Sequence, residues 1–266
     1  MIYRALYSAA SGMQAYLFNL DVIANNMANT GTTAYKRSRT NFEDVYYQNY
    51  KLPGALDTLG FRTPLGTALG LGVMVSATQQ DFSQGNLMQT GRRLDVAIQG
   101  NGFMQVQDTN GILYTRNGQF AVNDNGDLVV GSANRGRRID PPITIPNDTT
   151  EISISPEGIV SVMQPGSTNM SQVGQLLLTR FINPEGLLQE GESLYSMTDA
   201  SGPPIQGQAG QLGLGVFQQN YLELSNAEPV TELVDLIKTQ RNVELNSQVV
   251  QASDQLLQLV SNLRRY

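Results

Sequence analysis

The chain has 266 residues, with 17 basic and 23 acidic side chains and a formal net charge of −6. That balance, with lysine only at Lys36, Lys51 and Lys238, excludes the basic face of a nucleic-acid binder and a polybasic membrane patch. Cys and His are both absent, which removes thiol nucleophiles, Ser–His–Asp triads and zinc sites built on those ligands, while an all-carboxylate mechanism stays open.

The first element is a helix. Leu6, Ala10, Met13, Leu17, Leu20, Ala24 and Met27 recur at alternating spacings of four and three, an a/d stripe over three heptads. Arg4 and the apolar run Ala5 to Ala10 are too short for a cleaved signal, so residues 1–30 are expected to be mature helix. No stretch approaches the roughly 18 apolar residues of a membrane span. Residues 31–75 follow as an arm or linker. From Tyr46 to Val75 this segment is rich in Gly, Pro, Leu and Tyr and lacks a period.

Residues 76–223 change to short strands punctuated by turns. Asp95–Gln99 and Phe103–Gln107 flank Gly100-Asn101-Gly102, and Asn110-Gly111, Asn117-Gly118 and Asn125-Gly126 each carry a hairpin signal. The expectation is an antiparallel β domain, a sandwich or open barrel. Residues 224–266 return to helix, opened by Glu228-Pro229. Here Leu245, Val249, Ala252, Leu256, Leu259 and Leu263 form a second stripe, with Val230, Val234 and Ile237 on a shifted phase. The fold class is therefore α+β, with long N- and C-terminal helices paired as a coiled coil around a β-rich middle. An ordinary terminal helix pair packed on its own domain satisfies the same stripes.

Motifs that look chemical have plainer readings. Asn123-Asp124-Asn125-Gly126-Asp127 has its glycine in the fourth place, where an EF-hand loop needs it sixth, and reads as a turn. Gly70-Leu71-Gly72 and Gly210–Gly215 lack a dinucleotide fingerprint or P-loop lysine. Arg135, Arg137 and Arg138 make a small basic loop. Asp95, Asp124, Asp127, Glu157 and Glu185 sit beside turn residues without a spacing that pairs two of them. No catalytic, cofactor or metal residue is assigned, and the chain is expected not to be an enzyme.

Leu20-Asp21-Val22-Ile23-Ala24-Asn25-Asn26-Met27-Ala28-Asn29-Thr30 with Ala34-Tyr35-Lys36-Arg37 resembles the N-terminal signature of flagellar rod and hook proteins. Ser83-Gln84-Gly85-Asn86, Leu94 to Phe103, Tyr114-Thr115-Arg116-Asn117-Gly118, Ser225-Asn226 and Thr239-Gln240-Arg241 continue the resemblance along nearly the whole chain. Length and the segment from Phe42 to Gly54 are most similar to distal-rod members.

The resemblance implies a structural subunit of the flagellar basal body that polymerises helically into a drive shaft across the periplasm. It implies export without a cleaved signal, and partners among proximal rod proteins, hook or hook-adjacent subunits, P- and L-ring proteins and the export apparatus. The expected assembly interface is Leu6, Met13, Leu17, Leu20, Asn25, Asn26, Met27, Asn29, Leu245, Val249, Leu256, Leu259 and Leu263. The expected arm contacts are Leu52, Leu59, Phe61, Leu65, Leu69 and Leu71. A hook or proximal-rod subunit, or a carboxylate-based cell-wall hydrolase, is the alternative.

Overall fold

A computed structural model describes residues 2–54, 56, 62, 64–109, 111–131, 136–166 and 169–263. It divides into two compact units. The helical unit combines the residues up to Ala28, the segment Ser38–Gln79 and the chain from Pro229 onward. The β unit comprises Asn29–Arg37 and Gln80–Glu228.

In the helical unit, helix α1 (Ile2–Ala28) and helix α2 (Pro229–Leu263) are in contact. Pro229 stands at the first helical position, where a missing N–H costs nothing. Strand Ser38–Asp44 pairs with Val73–Gln80, and Tyr47–Lys51 pairs antiparallel with Thr67–Gly70. Most of the latter pair is exposed. This is why the arm carries no legible alternation: without a dry face, a strand is under no pressure to alternate apolar and polar residues.

All described strand pairings of the β unit are antiparallel. One sheet has seven strands, in the order Leu188–Gly191, Leu194–Ser196, Gly111–Thr115, Met104–Asp108, Arg137–Asp140, Leu128–Val130, Phe120–Val122. A second has three, Glu151–Ile154, Ile159–Met163 and Ser171–Gln175, and the remainder are two-stranded ribbons. Val96, Ile98, Met104, Phe120, Leu128 and Leu178 belong to the main core, each at most 1 % exposed.

Two of the three Asn-Gly signals fall between paired strands. Met104–Asp108 pairs with Gly111–Thr115 across the first, and Phe120–Val122 pairs with Leu128–Val130 across Asn125-Gly126. Asn117-Gly118 makes no hairpin. The strands on its two sides belong to opposite parts of the sheet, and Gly118 instead lies against Val96. A Cβ on Gly118 would meet the Val96 carbonyl oxygen at 1.6 Å. Gly118→Ala is expected to cost about 3 kcal/mol or more, because two backbones must separate to admit a methyl group; a urea titration of the full chain measures it. Val96–Gln99 and Met104–Asp108 likewise form no hairpin across Gly100–Gly102, since Val96–Gln99 pairs with Val216–Gln219.

Candidate assembly surface and buried clamp

The side-chain hydrogen bonds between α1 and α2 fall off the stripes with the most regular leucines. The side of α1 turned inward carries Ala9, Gly12, Ala15, Ile23 and Asn26, displaced by about one residue from the Leu6–Met27 stripe. On α2 the inward residues include Glu232, Thr239 and Ser253, each seven apart or a multiple of it. Asn26 Nδ2 donates to Glu232 Oε2 at 3.3 Å, and Asn19 Nδ2 donates to Thr239 Oγ1 at 3.1 Å. One heptad further, a Cβ on Gly12 would come within 3.3 Å of Asn246 Nδ2. Residues rising by seven on α1 meet residues falling by seven on α2, so the helices run antiparallel. A polar partner in each heptad penalises every slipped register, because a slip buries amides or a carboxylate against aliphatic carbon.

Asn26 also anchors the chain leaving α1. Its Nδ2 donates to the Ser38 carbonyl at 2.8 Å, and its Oδ1 accepts from the Ser38 N–H at 2.9 Å. Asn26→Ala is expected to cost about 2 kcal/mol in the helical unit. Faster hydrogen exchange of α2 amides near Glu232 checks this.

The leucines of the α2 stripe, and Leu17 of the α1 stripe, are left at the surface. Leu17 is 47 %, Leu245 58 % and Leu256 53 % exposed, and Val249 and Leu259 are similarly open. Leu6, Met13, Leu20 and Met27 are half-buried, and Leu263 is the last residue of α2. Asn25 is exposed, while Asn29 lies in the β unit, where its Oδ1 accepts from Thr32. In the arm, Leu52, Leu65 and Leu69 are exposed and Leu71 is half-buried; Leu59 and Phe61 lie outside the described residues.

The β unit is tied together at a site that no stripe or turn signal indicates. Glu223 is fully buried between Lys36 and Arg116, whose side chains are 0 % and 3 % exposed. Its Oε1 accepts from Lys36 Nζ at 2.7 Å and from the Gly85 N–H at 3.0 Å, and its Oε2 accepts from Arg116 Nε at 2.9 Å. Lys36 also donates to the Ser83 carbonyl at 2.6 Å. Arg116 donates to the carbonyls of Gly100 and Gly102, both at 2.9 Å. Beside this hub, Asn226 Oδ1 accepts from the Arg37 N–H and its Nδ2 donates to the Asp81 carbonyl, each at 2.7 Å.

The β-unit segments of the signature therefore meet here: Ala34–Arg37, Ser83–Asn86, Leu94–Phe103, Tyr114–Gly118 and Ser225-Asn226. One carboxylate serves two cations. Burial first, and the Arg116 charge second, hold the Lys36 ammonium below its usual pKa, against the opposing pull of Glu223. A base with a lowered pKa in the folded state binds fewer protons there than when unfolded. Lys36 itself thus favours the fold more as pH rises towards 10.5.

Of the remaining candidates, Asp95 is buried and has Arg92 3.7 Å away, while its Oδ1 accepts no hydrogen bond among the described residues. Asn123 Oδ1 accepts from the N–H groups of Asn125 and Asp127, closing the turn. Asp127 takes a hydrogen bond from Thr144 and an ion pair from Arg138. Arg137 pairs with Asp108 and Glu192, and Arg135 lies outside the described residues. Among the described residues, no three acidic side chains converge as a metal site would require.

Comparison with known proteins agrees with this organisation. Residues 6–36 match the family described as flagella basal body rod protein, 97–162 the flagellar hook protein FlgE/F/G D1 domain, and 218–263 the flagellar basal body rod FlgEFG protein C-terminal region. The rod protein FlgG of Buchnera aphidicola (from Acyrthosiphon pisum) is 44 % identical over 97 % of this chain and 99 % of its own. FlgG of Borreliella burgdorferi is 41 % identical over 98 % and 99 %. The Salmonella typhimurium hook protein FlgE is 26 % identical, over 96 % and 99 %. The chain belongs to the flagellar basal-body rod and hook protein family. Within that family it is most similar to the rod proteins FlgG.

Proposed function

We propose that this chain is a structural subunit of the flagellar rod, in its distal section, and that it polymerises with copies of itself. The observation that carries the reading is the division of labour on the terminal helices. Within one chain polar side chains bond the two helices, Asn19 to Thr239 and Asn26 to Glu232, while Leu17, Leu245, Val249, Leu256 and Leu259 stay exposed. Leucine stripes repeated in heptads on both terminal helices suit further helices, here those of neighbouring subunits in a coiled-coil arrangement. Each buried leucine contributes about 2 kcal/mol. A contact between unlike faces of identical subunits generates a filament when its rotation does not close into a ring.

On this reading the shaft transmits torque across the periplasm, with α1 and α2 forming its core. The arm residues Leu52, Leu65 and Leu69 contact neighbouring subunits. Proximal rod proteins and hook-side subunits meet its ends, P- and L-ring proteins surround it, and the flagellar export apparatus delivers it. The function needs no cofactor or nucleic acid. A hook subunit is the second reading, favoured by the FlgE relative; its alignment spans 416 residues against 266 here, so a hook protein of that kind carries extra chain. Electron microscopy of the concentrated purified chain tests the proposal. Straight filaments support a rod and curved ones a hook, whereas a chain that stays monomeric at millimolar concentration sinks both.

A further inference from the structure

The β unit contains a cavity of about 450 Å³ lined by Phe82, Phe103, Phe181, Ile182 and Arg180, with the Asn101-Gly102 backbone beside them. The aromatic wall is preorganised: the rings of Phe82 and Phe103 stand 5.4 Å apart and those of Phe103 and Phe181 5.9 Å, all edge-to-face. Ile182 is largely exposed beside it. Arg180 is the exception among the cations. Lys36, Arg37, Arg92, Arg93, Arg116, Arg137 and Arg138 each have a carboxylate within 4.0 Å, and Arg180, the other described cation of the β unit, has none among the described residues. A hollow walled by rings, with the Glu223-paired Arg116 in its lining and the Arg180 guanidinium at its side, suits a ligand with an aromatic body and a carboxylate.

The chain itself presents such a group. Tyr46 is 88 % exposed, more than any other large apolar side chain described. Three residues before it, the Glu43 side chain is exposed, and its carboxylate has no hydrogen bond or ion pair among the described residues. In extended chain the two lie about 10 Å apart. We propose that the Arg180 pocket is a receptor for the Glu43–Tyr46 segment of a second copy, the ring entering among the phenylalanines and the carboxylate pairing with Arg180. This rests on the self-assembly reading and adds a residue-level contact to it.

The test uses full-length chains and a mixing experiment. Arg180→Glu and Glu43→Arg are both exposed changes, and an unaltered thermal midpoint verifies folding. Each variant alone is expected to need at least tenfold more protein to polymerise than the wild type. An equimolar mixture is expected to recover to within threefold of the wild type. In the mixture, the acidic pocket of the Arg180→Glu chain meets the basic segment of the Glu43→Arg chain. The unaltered pocket of the second chain meets the unaltered segment of the first. Recovery on mixing requires the contact to run between copies. A synthetic peptide of residues 40–50 provides a readout independent of polymerisation, and its binding should weaken at least tenfold on Arg180→Glu. If the wild type forms filaments and Arg180→Glu does so equally well, or if mixing restores nothing, the pocket proposal is overturned. If the wild type forms no filaments but the peptide binds in an Arg180-dependent way, the filament reading fails and the pocket stands.

Discussion

Glu223→Gln is expected to destabilise the β unit by about 3–5 kcal/mol, because it leaves two buried cations with no compensating charge. The glutamine amide can offer only one oxygen where the carboxylate presents two, and its NH2 group would face Lys36 or Arg116. The fold has no escape by deprotonating Arg116, which keeps its charge in any protein environment. Urea unfolding followed by circular dichroism measures the loss. Since the stability of a domain is commonly about 5–15 kcal/mol, this one substitution removes a large share of it. An exposed control, Glu157→Gln, should change stability by less than about 0.5 kcal/mol. An E223Q variant with an unchanged midpoint would mean that the hub is not what closes the β unit.

The location of that hub explains the size of the effect. Lys36 arrives from the chain that follows α1, and Glu223 from the strand Tyr221–Glu223 that precedes α2. Between them, Arg116 reaches the Gly100–Gly102 turn. Removing Glu223 therefore releases both end segments of the β unit together. A fragment of residues 38–219 lacks Lys36 and Glu223 alike. It would bury Arg116 unpaired and should not fold, whereas 29–228 retains all three charges.

The second large effect concerns assembly and not folding. Leu17→Glu or Leu256→Glu is expected to raise the concentration needed for polymerisation at least 100-fold, which corresponds to about 2.8 kcal/mol at a tenfold change per 1.4 kcal/mol. Losing a buried leucine accounts for about 2 kcal/mol, and the desolvation of a carboxylate adds to it. Both positions are exposed in the single chain, so the thermal midpoint of the β unit should not move. Sedimentation of polymer from monomer reads the effect. Filaments forming at the wild-type concentration would show that these stripes are not the subunit contact.

The helices are legible in the residues because a heptad stripe is a local property: α1 and α2 occur where the periodic residues lie. Which stripe pairs the two helices is not legible. The most apolar positions predict the pairing seam, and the polar approaches between the helices lie off it, at Gly12, Asn19 and Asn26 against Asn246, Thr239 and Glu232. Hydrophobicity marks a face that is covered somewhere, and it does not say by which chain. Asn26 does bind backbone at Ser38, as an amide at a helix exit is expected to, while it also reaches across to α2.

In the β unit, local turn chemistry predicts the hairpins at Asn110-Gly111 and Asn125-Gly126. It misreads Asn117-Gly118, whose glycine is required by the close approach of Val96, 22 residues earlier. The hub of Lys36, Glu223 and Arg116 is hidden for the same reason. Its members are 187 and 107 residues apart along the pairs that bond, so no window of sequence contains them. The signature residues Tyr35-Lys36-Arg37 and Thr115-Arg116-Asn117 are visible as motifs, but their chemistry is not, because a charge reads as a solvated surface residue until tertiary packing removes the water. The order of elements, the two helical stripes and the family all follow from the residues alone. Which charges share the interior, and which apolar faces stay exposed, is a matter of packing, since both depend on what the distant parts of the chain cover.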